Sequence, residues 1–346
     1  MFRWRLPKIG LDVGARSVKA AELARVKGEV VLKDFAFHDF RQGPETNASH
    51  EETVAALVDG RGLKGADVFG CLPDKEISVA LLAFPEMPES EIPAAVRNKV
   101  EAKTGQDASA YSIDFLVAGR ARNAGLSEIL VRAYFTGAAA VEDQLAAIES
   151  FGLRPLSLEG SLQATIECLR FNGYVNHHDS CVVVDIGETH TSIGLVVGGE
   201  LAQLNTLRVG SGDINESLMS ELGCTHEESE RLKLEYTLEG GDGASEKAHR
   251  LIEDGYYKII LGIHDTVSYF RAAFKDQLIV NLLLTGGGAG KAGLDSLVQQ
   301  SLGIPAAVPN ALKNIQIFTG PQPERDRLAA LACQLHPAIG LALRAV

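Results

Sequence analysis

The sequence predicts an α/β protein made of two related halves. Three observations carry that prediction. An apolar strand in "IGLDVGARSVKAAEL" ends in Asp12-x-Gly14, and another in "VVVDIGETHTSIGLV" ends in Asp185-x-Gly187, an offset of 173 residues. Each is followed by segments alternating apolar and polar residues, the pattern of half-buried strands. A third apolar strand, "LLLTGGGAG" (282–290), runs into Gly286, Gly287 and Gly288.

The remaining elements follow in chain order. "IGLDV" is apolar and β-branched up to Asp12, as a buried strand is. "SVKAAELA" and "VVLKDFAFHDF", joined by "KGE", make a hairpin meander. Residues 41–50 are a polar loop, 51–63 a helix with an apolar face, and "ADVFGCLP" a short strand. Residues 72–150 read as a separate α+β module of β-α-β-β-α order. Its first strand, "ISVALLAFPEMP", is stopped by two prolines. Acidic residues, favourable at a helix N-terminus, open the helix "ESEIPAAVRNKVEAKTG". The strands "SIDFLVAGR" and "SEILVRAYFTG" follow, then a helix closed by Gly152.

Residues 158–173 read as a helix, after which the strand pattern restarts at "CVVVDIG". "GELAQLNTLRVG" extends the second meander. "GDINESLMSELG" and "THEESERLKLEY" are helices, "LEGGDGASEKAHR" is a polar loop, and "GYYKIILGIHDTVSYFRAAF" is a long amphipathic helix. After the triple glycine come the helix "AGLDSLVQQSLG" and the short strand segment "IPAAVPN". The apolar end "LAALACQLHPAIGLALRAV" is expected to dock on the first half.

Composition narrows the function classes. A chain of 346 residues favours two domains, and 46% hydrophobic with 23% charged residues is ordinary for a globular protein. No apolar run reaches the roughly 18–20 residues that span a bilayer, and no secretory signal is expected. Five cysteines without CxxC spacing argue against a disulfide framework or zinc site and for a reducing cytoplasm. A net charge of −12 argues against a nucleic-acid binder, which carries a basic patch.

The two Asp loops carry the chemistry. A tight glycine-flanked turn after a buried strand presents backbone N–H groups to an anion. Serine and threonine hydroxyls add donors. Asp12 and Asp185 could hold Mg²⁺ through water, because Mg²⁺ keeps several waters and takes few carboxylates. The triple glycine lets a backbone approach a flat ligand, since glycine lacks Cβ. Neither a GxGxxG fingerprint nor a GxxxxGK[ST] P-loop is present.

This arrangement resembles the actin/hexokinase/Hsp70 ATPase superfamily. The resemblance implies two RNase H-like domains around a nucleotide cleft, with an FtsA-type inserted α+β subdomain. The first domain would be 1–175 with 311–346, the insert about 72–150. The second would be 176–310, with a small subdomain at about 220–255. Asp12, Gly14, Ser17 and Lys19 would form the first phosphate loop. Asp185, Gly187, Thr189 and Thr191 would form the second, supported by Gly210 and Gly212. Gly286, Gly287 and Gly288 look like the adenosine loop. Glu230 and Lys233 fall where the family reaches the ribose; a plain surface ion pair is the other reading. Glu159 is the candidate facing the γ-phosphate; a solvated glutamate at a helix start is the alternative.

The finer resemblance is to the PilM family of type IV pilus assembly proteins and covers essentially the whole chain. It rests on the order of "IGLDVGARSVKAAEL", "FPEMPESEI", "YSIDFLV", "VEDQLAAIESFGLRPLSLE", "VVVDIGETHTSI", "RVGSGDINESLMSELGCTHEESERLK" and "LLLTGGGAGKAGLDSLVQQSLGIP". It implies an ATP- and Mg²⁺-binding scaffold with at most slow hydrolysis. Such a scaffold would sit in the cytoplasm, at the inner-membrane face, by holding the N-terminal tail of a PilN-like membrane protein. Other platform proteins, motor ATPases and self-association are further expectations. A small-molecule kinase and an FtsA-like or type II secretion protein are the alternatives. Two residues depart from the usual loops: Arg16 in the first and Glu188 in the second.

Overall fold

The computed structural model describes residues 6–41, 49–123, 126–236, 246–274, 277–291, 293–317 and 322–346. The loops expected at 41–50 and 238–250 lie largely outside them.

The chain opens with β1 (Lys8–Val13), β2 (Ser17–Val26) and β3 (Glu29–Asp39). Lys27 and Gly28 both have positive φ (51° and 90°), the two-residue hairpin geometry that matches strand twist. Helix α1 (His50–Gly60) starts at a capping box, in which Ser49 receives the Glu52 amide and Glu52 the Ser49 amide. Strand β4 (Asp67–Leu72) pairs parallel with β1.

The inserted module comprises β5 (Ser78–Pro85), α2 (Ile92–Thr104), β6 (Tyr111–Asn123), β7 (Leu126–Gly137) and α3 (Ala138–Ser150). Its sheet order is β5-β7-β6. Alternate residues Ala80, Leu82, Phe84 and Ile129, Val131, Ala133 face Val96 and Val100 of α2, which makes a separate small core. In α3, Ile148 instead joins the core beneath β1 and β4.

The next stretch departs from the sequence reading. Residues 154–160 form strand β8 (Arg154–Gly160), and α4 begins only at Ser161 (Ser161–Phe171). Strand β8 lies at the sheet edge, parallel to β4, where Pro155 removes no needed ladder donor.

The second half repeats the first. Strands β9 (Ser180–Ile186), β10 (Thr191–Val197) and β11 (Glu200–Leu207) form a meander. Its second turn, Gly198–Gly199, again has two positive φ values, 63° and 80°. Helices α5 (Ser211–Leu222), α6 (His226–Glu235) and α7 (Glu246–Ala273) follow, then β12 (Ile279–Thr285), parallel to β9. Helix α7 buries Ile252, Ile259, Ile260, Ile263, Val267 and Phe270 against that sheet. Each buried apolar side chain of this size contributes about 1.5–3 kcal/mol.

Helix α8 (Leu294–Leu302), β13 (Ala306–Ala307) and β14 (Gln316–Ile317) lead to α9 (Gln322–Leu331) and α10 (His336–Ala342). The sheets are ordered β14-β3-β2-β1-β4-β8 and β11-β10-β9-β12-β13. The apolar end does dock on the first half: every residue of α10 is buried. A Cβ on Gly340 would stand 1.8 Å from the Ala164 carbonyl oxygen of α4, so only glycine permits that approach. Among the described residues no single helix is long and apolar enough to cross a membrane.

Candidate functional site

The ends of β1, β9 and β12 converge on a cavity of about 470 Å³, within the range of small-molecule sites. Both Asp turns have one backbone frame. Gly14 N donates to Ser17 O and Gly187 N to His190 O, each at 2.9 Å. Asp12 and Lys19 are direct cross-strand partners in the β1–β2 hairpin, and Lys19 Nζ donates to Asp12 Oδ2 at 2.9 Å. Burial lowers the Lys19 ammonium's affinity for its proton. Asp12, hydrogen-bonded and oppositely charged, more than offsets this, with help from Asp185, so its pKa rises.

Asp185 has a different setting. Thr285 Oγ1 lies 3.3 Å from Asp185 Oδ2. Burial, then the Asp12 charge, pushes the Asp185 carboxyl up to about 6, against the pull of Lys19. Gly286, at φ 88°, packs so closely that a Cβ there would stand 2.5 Å from Ile186 O and 2.6 Å from Asp185 Oδ1. The triple glycine thus lies directly on the second turn.

Helix α6 closes one side. Glu230 Oε1 accepts from Lys233 Nζ at 3.0 Å and from Arg16 Nη1 at 2.7 Å. Burial raises the Glu230 carboxyl, but Lys233, Arg16 and Asn215 outweigh it and hold it at about 2. Lys233 is depressed because burial exceeds the attraction of Glu230. Lys291 Nζ donates to the Lys233 carbonyl at 2.6 Å and to that of Leu234 at 3.3 Å, a cation at a helix C-terminus.

The expected residues divide in two. Asp12, Gly14, Ser17, Lys19, Asp185, Gly187, Glu230, Lys233, Gly286, Gly287 and Gly288 line the cavity. Thr189, Thr191, Gly210, Gly212 and Glu159 do not. Thr189 Oγ1 meets His190 Nδ1 at 2.8 Å, and the buried Thr191 hydroxyl donates to Val209 O at 2.8 Å. Ser211 and Gly212 brace the second turn from behind: Ser211 N donates to Gly187 O and Gly212 N to Glu188 O, at 2.9 and 2.8 Å, while Gly210 packs against the Glu188 carbonyl. The amides that open α5 are therefore spent on the loop.

Glu159 is corrected in position. It belongs to β8 rather than to a helix start, and both of its carboxylate oxygens accept from Arg344, at 2.8 and 2.9 Å. Strand register turns it toward the chain end; Ser161 is the residue of this stretch that lines the cavity.

The two departures from the usual loops, Arg16 and Glu188, line the cavity, and the sequence reading missed Asp39, Phe37 and Lys291, which line it too. Counting back along the β2–β3 hairpin would have found Asp39, the cross-strand partner of Ser17. Asp74, beside the cleft, is buried, and its Oδ1 accepts from Leu162 N of α4 at 2.9 Å. Burial, against that amide and with the charges of Asp185 and Asp12, pushes the Asp74 carboxyl up to about 7. Among the described residues no group of three or more His, Cys, Asp and Glu gathers as a metal-binding cluster.

Comparison with known proteins places this architecture. A family model described as "Type IV pilus assembly protein PilM" matches residues 10–346. A solved structure titled "PilM-PilN type IV pilus biogenesis complex" is similar with TM-score 0.78 and 21% identity, over 98% of each chain. An archaeal actin homolog, Ta0583, is similar with TM-score 0.51 and 13% identity, over 98% of this chain and 99% of that one. The ethanolamine utilization protein EutJ from Carboxydothermus hydrogenoformans is similar with TM-score 0.50 and 16% identity, over 97% and 89%. The fold is therefore actin-like.

Proposed function

The chain belongs to the PilM family of type IV pilus assembly proteins, and we propose that it is an ATP-binding scaffold of the inner-membrane assembly platform. The observation that carries the nucleotide half is the convergence of two like Asp–Gly turns and a triple glycine on one polar cavity. In this reading the turns at Gly14 and Gly187, with the Ser17 hydroxyl and Lys19, take the phosphates. Gly286, Gly287 and Gly288 lie against the adenosine, while Glu230 and Lys233 face the ribose. The donor set fits this group: hydroxyl, ammonium and glycine backbone are on the cavity wall. Asp12 and Asp185 would hold Mg²⁺ through water, and the ion would offset phosphate charge near the two carboxylates.

The partner half rests on family membership and on full-length likeness to the PilM–PilN complex. The N-terminal tail of a PilN-like membrane protein would bind this chain and hold it at the cytoplasmic face of the inner membrane. The scaffold role needs no rapid turnover, and Glu159 is engaged by Arg344 rather than turned to the cavity.

Calorimetry of the purified chain tests both halves. MgATP is expected to bind, and the tail peptide is expected to bind with an affinity that ATP changes roughly 5–150-fold, reciprocally. Peptide binding that ignores ATP would sever the two sites. ATP binding with no peptide binding would overturn the scaffold reading.

A further inference from the structure

The cleft walls are joined by an ion-pair network that includes the two departures from the usual loops, Arg16 and Glu188. Arg16 Nε lies 3.1 Å from Asp39 Oδ2, on its own wall. Its Nη1 crosses the cleft to Glu230 Oε1 at 2.7 Å and Glu188 Oε2 at 3.5 Å. Arg41 Nη1 crosses too, 2.8 Å from Glu188 Oε1. The pairs bring together residues 172 and 214 positions apart: the first turn, the second turn and α6. The Glu188 side chain is only 6% exposed.

Each cation of this network is already matched by a carboxylate. Arg16, Arg41 and Lys233 are matched by Asp39, Glu188 and Glu230, and Lys19 is already paired with Asp12. Phosphates entering beside Glu188 would meet a carboxylate, and the two arginines facing it are already engaged by acids. Arginines that turn toward the phosphates leave the carboxylates of the opposite wall.

We propose that Arg16, with Arg41, is a latch that joins the two cleft walls when no nucleotide is bound, and that the phosphates of a nucleoside polyphosphate release it. The latch itself follows from the ion pairs; its release by nucleotide rests on the ATP-binding reading. Binding and wall-to-wall pairing then exclude one another, so phosphate occupancy becomes freedom of one wall against the other.

Hydrogen exchange on the nucleotide-free protein tests the latch alone. Arg16→Gln is expected to speed exchange roughly 3–10-fold in both the 13–17 turn and the 226–235 helix, as loss of a partly buried network would. Unchanged exchange, or a change on one wall only, overturns the latch. Calorimetry with MgATP tests the release. Glu188→Gln is expected to tighten binding about tenfold in the wild-type background and under about twofold beside Arg16→Gln, the mark of coupled residues. Equal tightening in both backgrounds would mean plain repulsion by Glu188 and would overturn release. A wild-type chain that takes up no ATP would overturn release and the nucleotide reading together, while the exchange result would still decide the latch.

Discussion

The turn after β1 and the turn after β9 share a backbone frame and differ in what surrounds it. Each is closed by one glycine amide on a carbonyl three residues on, at 2.9 Å. The Asp at the head of the first is neutralised by Lys19, its cross-strand neighbour. The Asp at the head of the second has a threonine hydroxyl at 3.3 Å and a carboxyl pushed up to about 6, by burial first. The second turn is in exchange braced from behind by the opening amides of α5. Backbone repetition thus does not repeat the electrostatics. The acid of one loop is paired with a cation, and that of the other lies beside a threonine hydroxyl.

Exchanging the acids should break this comparison most visibly. Asp12→Ala leaves the buried Lys19 without its partner, and about 3–5 kcal/mol of stability should be lost. Asp185→Asn keeps an oxygen for Thr285 and removes a buried like charge, so its cost should be under about 1 kcal/mol. Urea denaturation of both variants measures the difference. Comparable losses would mean that Lys19 serves both acids equally.

Next come the glycines. A Cβ at Gly210 would lie 2.4 Å from Glu188 O, a backbone atom of the second turn, whereas at Gly14 the nearest atom is 3.4 Å away. Gly210→Ala should cost about 1–3 kcal/mol by overpacking, and Gly14→Ala less than about 1. Thermal melting checks this, and the reverse order would show that the second turn is free to shift.

The smallest expected effect sharpens the comparison through Asp74, which feels both loop acids. Its folded pKa of about 7 lies above the ordinary 3.8. A raised carboxyl favours the folded state fully below the ordinary value, and that contribution is lost as pH rises through about 7. Asp74→Asn should flatten this decline and be more stable than wild type by roughly 1–2 kcal/mol at pH 8. Melting curves from pH 4 to 8.5 test it; parallel profiles would place the decline on other groups.

Much of this was legible along the chain because it is local. The Asp-x-Gly turns, the triple glycine, both meanders and the long α7 are written in short-range periodicity and turn residues. The Asp12–Lys19 pair follows from hairpin counting alone. Strand β8 was misread because an edge strand bearing a proline and running directly into a helix has too weak an alternation to show. Glu159 was misplaced with it, and its partner Arg344 is 185 residues away.

The sequence by itself determined the two-half α/β plan, the acids at the strand ends and the glycines between them. These depend on backbone conformation and on neighbours a few residues apart, which composition and spacing record. Tertiary structure alone decided the charges in the cleft. Whether Glu188 repels an anion or ties down Arg16 and Arg41 depends on a meeting of distant segments. So does the burial that pushes Asp74 and Asp185 up. Coulomb energy and desolvation are set by distance and depth in three dimensions, and no linear pattern carries either.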